Sequence, residues 1–116
     1  MSVVSPAPEG YVAAGDLLKV LSAPARLAIV VELANESLQV NELVDRLELS
    51  QPLVSQHLRI LRGARLVTVE RRGREATYSL ADQHVAHIAA DAIQHSQEVG
   101  MQEARGLEAR GLETRR

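Results

Sequence analysis

The sequence contains no cysteine, phenylalanine or tryptophan, and its aromatic residues are limited to Tyr11 and Tyr78. Without cysteine the chain has no disulfide, no thiolate metal site and no cysteine nucleophile. With so few rings, a core has to be built from Leu, Val, Ile and Ala, a composition that suits helices packed on helices. No run approaches the ~20 apolar residues of a membrane span, and the start lacks the pattern of a signal peptide. We therefore expect a cytoplasmic protein with no membrane partner.

The overall composition is that of one globular domain. The chain has 116 residues, of which 46% are hydrophobic and 24% charged, so wholesale disorder is not expected. The formal net charge of −2, taken over the whole chain, argues against a nucleic-acid binder. That inference depends on how the charge is distributed along the chain.

The chain divides into three parts. Residues 1–10 contain two prolines and no hydrophobic period, which predicts a flexible leader. Residues 11–99 are periodic and form the predicted domain. Residues 100–116 contain the segment EARGL twice, and a glycine in each copy weakens a helix by about 1 kcal/mol. We interpret 100–116 as a disordered tail.

Within the domain, the periodicity predicts a mainly α fold with a small β-hairpin. One helix breaks near Ser22, and a second begins with Pro24 in its first turn. A third helix over NELVDRLEL and a fourth from Gln51 to Arg62, capped by Ser50, are joined by a short link, as in a helix-turn-helix. The alternating segments LVTVE and EATYSL flank RRGR and predict a hairpin, and a final helix runs from Asp82 to about residue 98. This order is that of a winged helix-turn-helix.

The charge of the predicted helix-turn-helix and wing differs from that of the rest of the chain. Between Ser50 and Arg74, six arginines stand against the single acid Glu70. This region therefore carries +5 and the remainder −7, and phosphate binding responds to such a local field rather than to the sum. The distribution favours a nucleic-acid partner, and for a helix-turn-helix with a wing that partner is double-stranded DNA. The arginines are Arg59, Arg62, Arg65, Arg71, Arg72 and Arg74.

Two motifs carry a family resemblance. The Leu-Ser-x-Pro-x-Arg segment from Leu21 to Arg26 and the Val-Ser-Gln-His-Leu segment from Val54 to Leu58 resemble the ArsR/SmtB family of dimeric winged-helix metal-responsive repressors, over roughly residues 15–98. The resemblance implies a homodimer that binds operator DNA as a repressor. It implies that the recognition helix presents Gln51, Ser55, Gln56 and His57 to the major groove, that Arg59 binds a phosphate, and that the wing arginines Arg71, Arg72 and Arg74 bind phosphate or the minor groove.

The role of His57 has two alternatives. As part of the recognition segment it reads a base edge, or it supports the helix from behind without touching DNA.

The final helix carries a pattern of metal-ligand residues. His84 and His95 are eleven residues apart, which is within roughly 20° of three full helical turns, so they share a face. Glu98 lies on the same face one turn beyond His95, and Asp82 stands at the helix start, where it also serves as a cap. Two imidazoles and two carboxylates form a four-coordinate set that suits Zn(II).

This spacing also predicts a dimer. Eleven residues span about 16.5 Å along a helix, whereas ligands lie about 2 Å from a zinc ion, so His84 and His95 of one chain cannot share one ion. The set closes when two copies of the helix run antiparallel, so that Asp82 and His84 of one copy meet His95 and Glu98 of the other. The pattern is similar to the zinc-sensing interhelical site of the ArsR/SmtB family. The hypothesis is thus a repressor that releases its operator when zinc binds.

Alternative functions remain open. A Co(II)- or Ni(II)-responsive repressor would use the same scaffold with His87 as a further ligand, although His87 lies about 60° off the shared face and can instead pair with Asp91. A second alternative is a winged-helix regulator that binds DNA without any response to metal. The absence of cysteine in the third helix excludes sensing of arsenite, lead or cadmium through thiolates. Four protein ligands leave no open position for catalysis, so we expect no enzymatic activity.

Overall fold

A computed structural model describes residues 4–109 of the chain. It has five helices and three short strands in these residues, and it confirms a mainly α fold with a small sheet. The helices are α1 (Pro8–Leu21), α2 (Pro24–Asn35), α3 (Val40–Leu47), α4 (Gln51–Gly63) and α5 (Gln83–Ala109), and the strands are β1 (Leu38–Gln39), β2 (Val67–Arg72) and β3 (Glu75–Leu80).

The predicted helix starts are present with their expected chemistry. Pro24 stands at the start of α2, where its missing N–H costs no hydrogen bond. At the start of α4 the side-chain oxygen of Ser50 accepts a hydrogen bond from the backbone N–H of Leu53 at 3.3 Å. Between α3 and α4, Glu48 takes a left-handed conformation with φ of 56° and its N–H bonds the carbonyl of Val44. Helix α3 therefore ends at a residue whose left-handed backbone conformation is usually adopted by glycine, although the residue here is Glu48.

The sheet is antiparallel, with β3 between β1 and β2. Strands β2 and β3 pair from Val67 with Leu80 to Arg72 with Glu75, which leaves a two-residue loop. Gly73 opens this loop with φ of 60°, a conformation that glycine adopts without steric cost. Strand β1, which the periodicity does not predict, pairs Leu38 with Tyr78. The wing is thus bonded to the residues that lead into α3.

The core is aliphatic, as the lack of aromatic residues requires. The buried side chains come from all five helices, from β1 and β2, and from Leu66 just before β2, and Tyr78 only packs at the margin of the core. Among the residues of α5 through Leu107, the last buried one is Ala89. The largest buried side chains are Ile29, Leu38, Leu43, Leu58, Leu61 and Leu66, with Val30 and Val54.

Both predicted domain boundaries differ from the structure. Helix α1 begins at Pro8, so residues 8–10 of the predicted leader are helical, with a proline in the first turn and Glu9 favourably placed against the helix dipole. Helix α5 continues to Ala109, so the disordered tail predicted for 100–116 is wrong as far as that residue. Good helix formers surround Gly100 and Gly106 and outweigh their cost. The parts of these two predictions that concern residues 1–3 and 110–116 lie outside the described residues.

No helix within residues 4–109 combines the length and apolar character needed to cross a membrane.

Candidate nucleic-acid interface and metal-ligand helix

Helix α4 has one buried face and one polar face. Val54, Leu58 and Leu61 are buried in the core, and on the other side Gln56 and Arg59 are exposed. At the start of the helix, the side-chain amide of Gln51 donates a hydrogen bond to the hydroxyl of Ser55 at 3.0 Å. This contact holds both side chains on the polar face. The polar face therefore presents amide and hydroxyl groups of the kind that address base edges.

His57 is placed differently from these residues. It is half-buried, and its Nδ1 lies 3.3 Å from Nη1 of Arg26 in α2. A guanidinium has only donors, so Nδ1 accepts this hydrogen bond and the proton of the neutral ring is on Nε2. Of the two alternatives for His57, this contact favours support of the helix over reading of a base.

Arg26 is a residue that the sequence reasoning left without a role. It lies within the Leu21–Arg26 motif, so the motif marked the position but not its contact. Its partner is 31 residues away, a separation that no local pattern reports.

The wing does not gather its three predicted arginines into one cluster. Arg72 bonds Glu70 through two nitrogen atoms, at 3.3 and 3.2 Å, with both side chains exposed. Arg71 points to the opposite face of β2, because side chains alternate along a strand. Arg74 follows Gly73 in the hairpin loop and lines a shallow cavity with Asn41 at the start of α3. The wing therefore presents guanidinium groups on more than one side.

The other basic residues differ in their availability. Arg59 and Arg62 on α4 and Arg65 beyond its end are exposed. Arg65 has a left-handed conformation with φ of 63°. Arg46, on α3, bonds Glu36 at 2.9 Å and Glu32 at 3.3 Å. The hydrogen bonds to Glu36 and then Glu32 raise the pKa of its guanidinium. The carboxylates neutralise this arginine, whereas the arginines of α4 remain directed to solvent.

The predicted metal ligands are all exposed on α5 or at its start. Asp82 caps the helix, since its Oδ1 accepts a hydrogen bond at 3.2 Å from the backbone N–H of Val85, and its second oxygen remains for a ligand. His84 is the second residue of the helix. Near the middle of α5, which continues to Ala109, Glu98 accepts a hydrogen bond at 3.2 Å from the side-chain amide of Gln94, and His95 is exposed beside it. The donor set fits a zinc ion in its chemistry, as two imidazoles and two carboxylates.

A single copy of the chain does not bring these four residues together. Within residues 4–109 no group of three or more histidine and carboxylate side chains is close enough to hold one ion. His87 is exposed as well, and its predicted pairing with Asp91 is absent from the hydrogen bonds and ion pairs of the described side chains. One half of the ligand set therefore stands at the start of α5 and the other half near its middle.

Residues 23–69 match the family model "Bacterial regulatory protein, arsR family". The transcriptional regulator NmtR of Mycobacterium tuberculosis is 42% identical over 80 residues, which are 69% of this chain and 67% of that protein. The chain belongs to the ArsR family. The transcriptional repressor SmtB of M. tuberculosis is 57% identical over 86 residues, 74% of this chain, and the match spans 64% of that repressor's length.

A solved structure also supports the fold. HlyU from Vibrio cholerae superposes with a TM-score of 0.70 and is 33% identical, over 76% of this chain and 96% of that one. The agreement confirms the winged-helix architecture for this ArsR family member. SmtB and NmtR are named as a repressor and a regulator of transcription, names that agree with a regulator rather than an enzyme.

Proposed function

We propose that this chain is a transcriptional repressor that binds operator DNA as a homodimer and releases it when Zn(II) binds between two copies of α5. The observation that carries the DNA-binding part is the polar face of α4 beside an arginine-bearing wing, in a chain of the ArsR family. The relatives named as transcriptional repressors and regulators support the same reading.

Each part of the DNA surface has a distinct task in this proposal. Gln51, Ser55 and Gln56 reach base edges in the major groove, because amides and hydroxyls can both donate and accept hydrogen bonds there. The arginines bind phosphates and position the helix without reading sequence. Arg59 lies on α4, and Arg71, Arg72 and Arg74 lie in the wing. His57 contributes from behind the helix.

The metal part rests on the separation of the two half-sites. Asp82 and His84 of one copy and His95 and Glu98 of the other would hold the ion, in two equivalent sites per dimer. Bound zinc would supply a four-coordinate cross-link between the two helices. By linkage, a ligand that favours the DNA-free dimer lowers DNA affinity by the same factor as DNA lowers ligand affinity. Repression by the metal-free dimer follows from this coupling.

One observation favours considering a second class of metal, Ni(II) or Co(II). His87 is exposed on α5 and has no hydrogen-bond or ion-pair partner among the described side chains, so it is available as a fifth donor. Ni(II) and Co(II) accept more ligands than zinc does in structural sites. The absorption spectrum of the Co(II)-loaded protein distinguishes a tetrahedral set from an octahedral one, and octahedral Co(II) that reverts on His87→Ala would favour this second class.

The test uses a duplex that the wild-type chain selects in vitro from a random-sequence pool. Fluorescence anisotropy at fixed salt measures its affinity with Zn(II), with Co(II), with Ni(II), and after addition of EDTA. We expect Zn(II) to weaken binding about 5- to 150-fold, the usual range for such coupling, and EDTA to restore it. The variants His84→Ala and His95→Ala should lose the response, and His87→Ala should keep it.

The possible outcomes separate the parts of the proposal. Affinity that no metal alters would contradict metal sensing and leave a metal-independent regulator. A zinc response that survives both histidine substitutions would mean that the assigned ligand set is wrong. Failure of the wild-type chain to enrich any duplex would overturn DNA binding itself.

A further inference from the structure

Arg26 joins three helices at one point behind the recognition helix. It is the third residue of α2 and is half-buried. Its Nε donates a hydrogen bond at 2.6 Å to the carbonyl of Val20 in the last turn of α1. Its Nη1 donates at 3.3 Å to Nδ1 of His57 on α4. The guanidinium therefore bridges the end of α1 and the middle of α4 from a fixed position on α2.

This bridge is the only one of its kind in the described part of the chain. Among the side-chain hydrogen bonds of residues 4–109, no other links α4 to a different element, and no other links α1 to a different element. The remaining attachment of α4 is the apolar contact of Val54, Leu58 and Leu61 with the core. Apolar burial is non-directional, whereas a hydrogen bond constrains distance and angle. The Arg26–His57 contact thus adds the directional restraint.

The position of His57 makes this restraint relevant to the polar face. His57 is adjacent in sequence to Gln56 and lies two residues from Ser55. A rotation of α4 about its axis moves all three side chains together, because they are carried by one rigid helical turn. A rotation of 20° at the radius of side-chain tips displaces a hydrogen-bonding atom by more than the roughly 0.5 Å that a productive contact tolerates.

We propose that Arg26 is a positioning residue for DNA recognition, which acts through His57 to set the rotation of α4 relative to the end of α1. The proposal rests on the proposed DNA-binding function and deepens it. Arg26 does not contact DNA itself, since it is half-buried and both of its bonded nitrogens face protein. Its planar guanidinium serves two acceptors in different directions, a task that the single ammonium of lysine does not reproduce.

The experiment measures discrimination rather than affinity alone. The wild-type chain first selects a duplex from a random-sequence pool, and affinities are then measured for that duplex and for a scrambled duplex of equal length at the same salt concentration. The ratio of the two affinities reports positioning, because an unfolded fraction lowers both affinities equally. We expect Arg26→Leu and Arg26→Lys to reduce this ratio by roughly tenfold, the scale of one lost hydrogen bond to a charged group.

Arg46→Leu is the matched control. It removes another arginine that joins two helices, but its partners Glu32 and Glu36 are on or beside α2 and not on α4. We expect the ratio to stay within about twofold of wild type, whatever the change in stability. A loss of discrimination in Arg46→Leu equal to that in Arg26→Leu would overturn the proposal.

Substitutions of His57 separate support from base reading. Asparagine places an acceptor at the δ position, as Nδ1 does, and glutamine places its amide at the ε position, as Nε2 does. We expect His57→Asn to retain the ratio and His57→Gln to lose it. The reverse order would show that His57 reads a base through Nε2, and it would overturn the proposal.

Two further readouts complete the test. The slope of log affinity against log salt concentration should not change in Arg26→Leu, and a decrease of about one would identify a phosphate contact instead. Nitrogen NMR of wild-type His57 without DNA should find the neutral ring protonated on Nε2, and protonation on Nδ1 would contradict the contact. If the wild-type chain selects no duplex, the proposed function fails. If it selects one and Arg26→Leu discriminates normally, only this inference fails.

Discussion

The body of the molecule and the outer part of α5 are stabilised in different ways. From α1 to Ala89 the chain buries a continuous aliphatic core that involves all the other helices and the sheet. Beyond Ala89, every residue through Leu107 is exposed except Ile93 and Gly106, which are half-buried. Val99, Met101 and Leu107 are large apolar residues in contact with solvent in this part of α5.

The difference shows which part of a single chain is stabilised by its own packing. An isolated helix of about 20 residues is marginally stable in water, because most helical stability in proteins comes from packing. The body provides its own packing, and the outer part of α5 does not. This contrast agrees with the proposed second copy, which would supply packing to the same region that carries His95 and Glu98.

The largest effect is expected from a core truncation in the body. Leu61→Ala should lower the free energy of unfolding by about 2–5 kcal/mol, since Leu61 is fully buried and the substitution leaves a cavity. Leu107→Ala, at a residue that is 52% exposed, should change it by less than about 0.5 kcal/mol. Urea unfolding at one protein concentration measures both. Equal losses would mean that the outer part of α5 is as strongly packed as the body.

An intermediate effect is expected when exposed arginines of the two regions are compared. Arg71→Ala should reduce the salt-dependence slope of DNA binding by about one, because a phosphate contact and its released counterion are lost. Arg105→Ala, on the outer part of α5, should leave the slope unchanged. Anisotropy titrations over a range of salt concentrations provide the slopes. A decrease of the slope in Arg105→Ala would mean that DNA contacts α5, which contradicts the assignment of DNA binding to α4 and the wing.

The smallest effect is expected from a substitution that strengthens the outer helix. A Cβ at Gly100 would have no heavy atom within 4 Å, so Gly100→Ala should stabilise helix locally by up to about 1 kcal/mol. Circular dichroism should report more helix, while the urea midpoint of the body stays the same. A shift of that midpoint would show that the two regions unfold as one unit.

The features that could be predicted from the sequence are those set by nearby residues. Ser50 and Pro24 mark helix starts through local capping chemistry, and Gly73 marks the hairpin loop. The helical period predicts a buried stripe of Leu53, Val54, Leu58 and Leu61 on α4; the last three are buried, whereas Leu53 is 37% exposed. The spacing of His84 and His95 likewise follows from helix geometry alone. These predictions need no knowledge of distant contacts.

The features that could not be predicted depend on distant residues or on a balance of small terms. Strand β1 has two residues, too few for any period, and Leu38 becomes buried only by pairing with Tyr78 forty positions later. The contact of Arg26 with His57 also needs the packed fold. The extension of α5 past Gly100 depends on small helix preferences summed over many residues, where two glycines do not decide the outcome.

The pairing of β1 with β3 has a mechanical consequence. Gln39 bonds to the wing and at the same time precedes the first residue of α3, and its N–H is held by Glu42 at 2.9 Å. The wing and α3 are therefore joined through β1 with no loop between them. A displacement of the wing would be passed along the paired backbone to the first turn of α3.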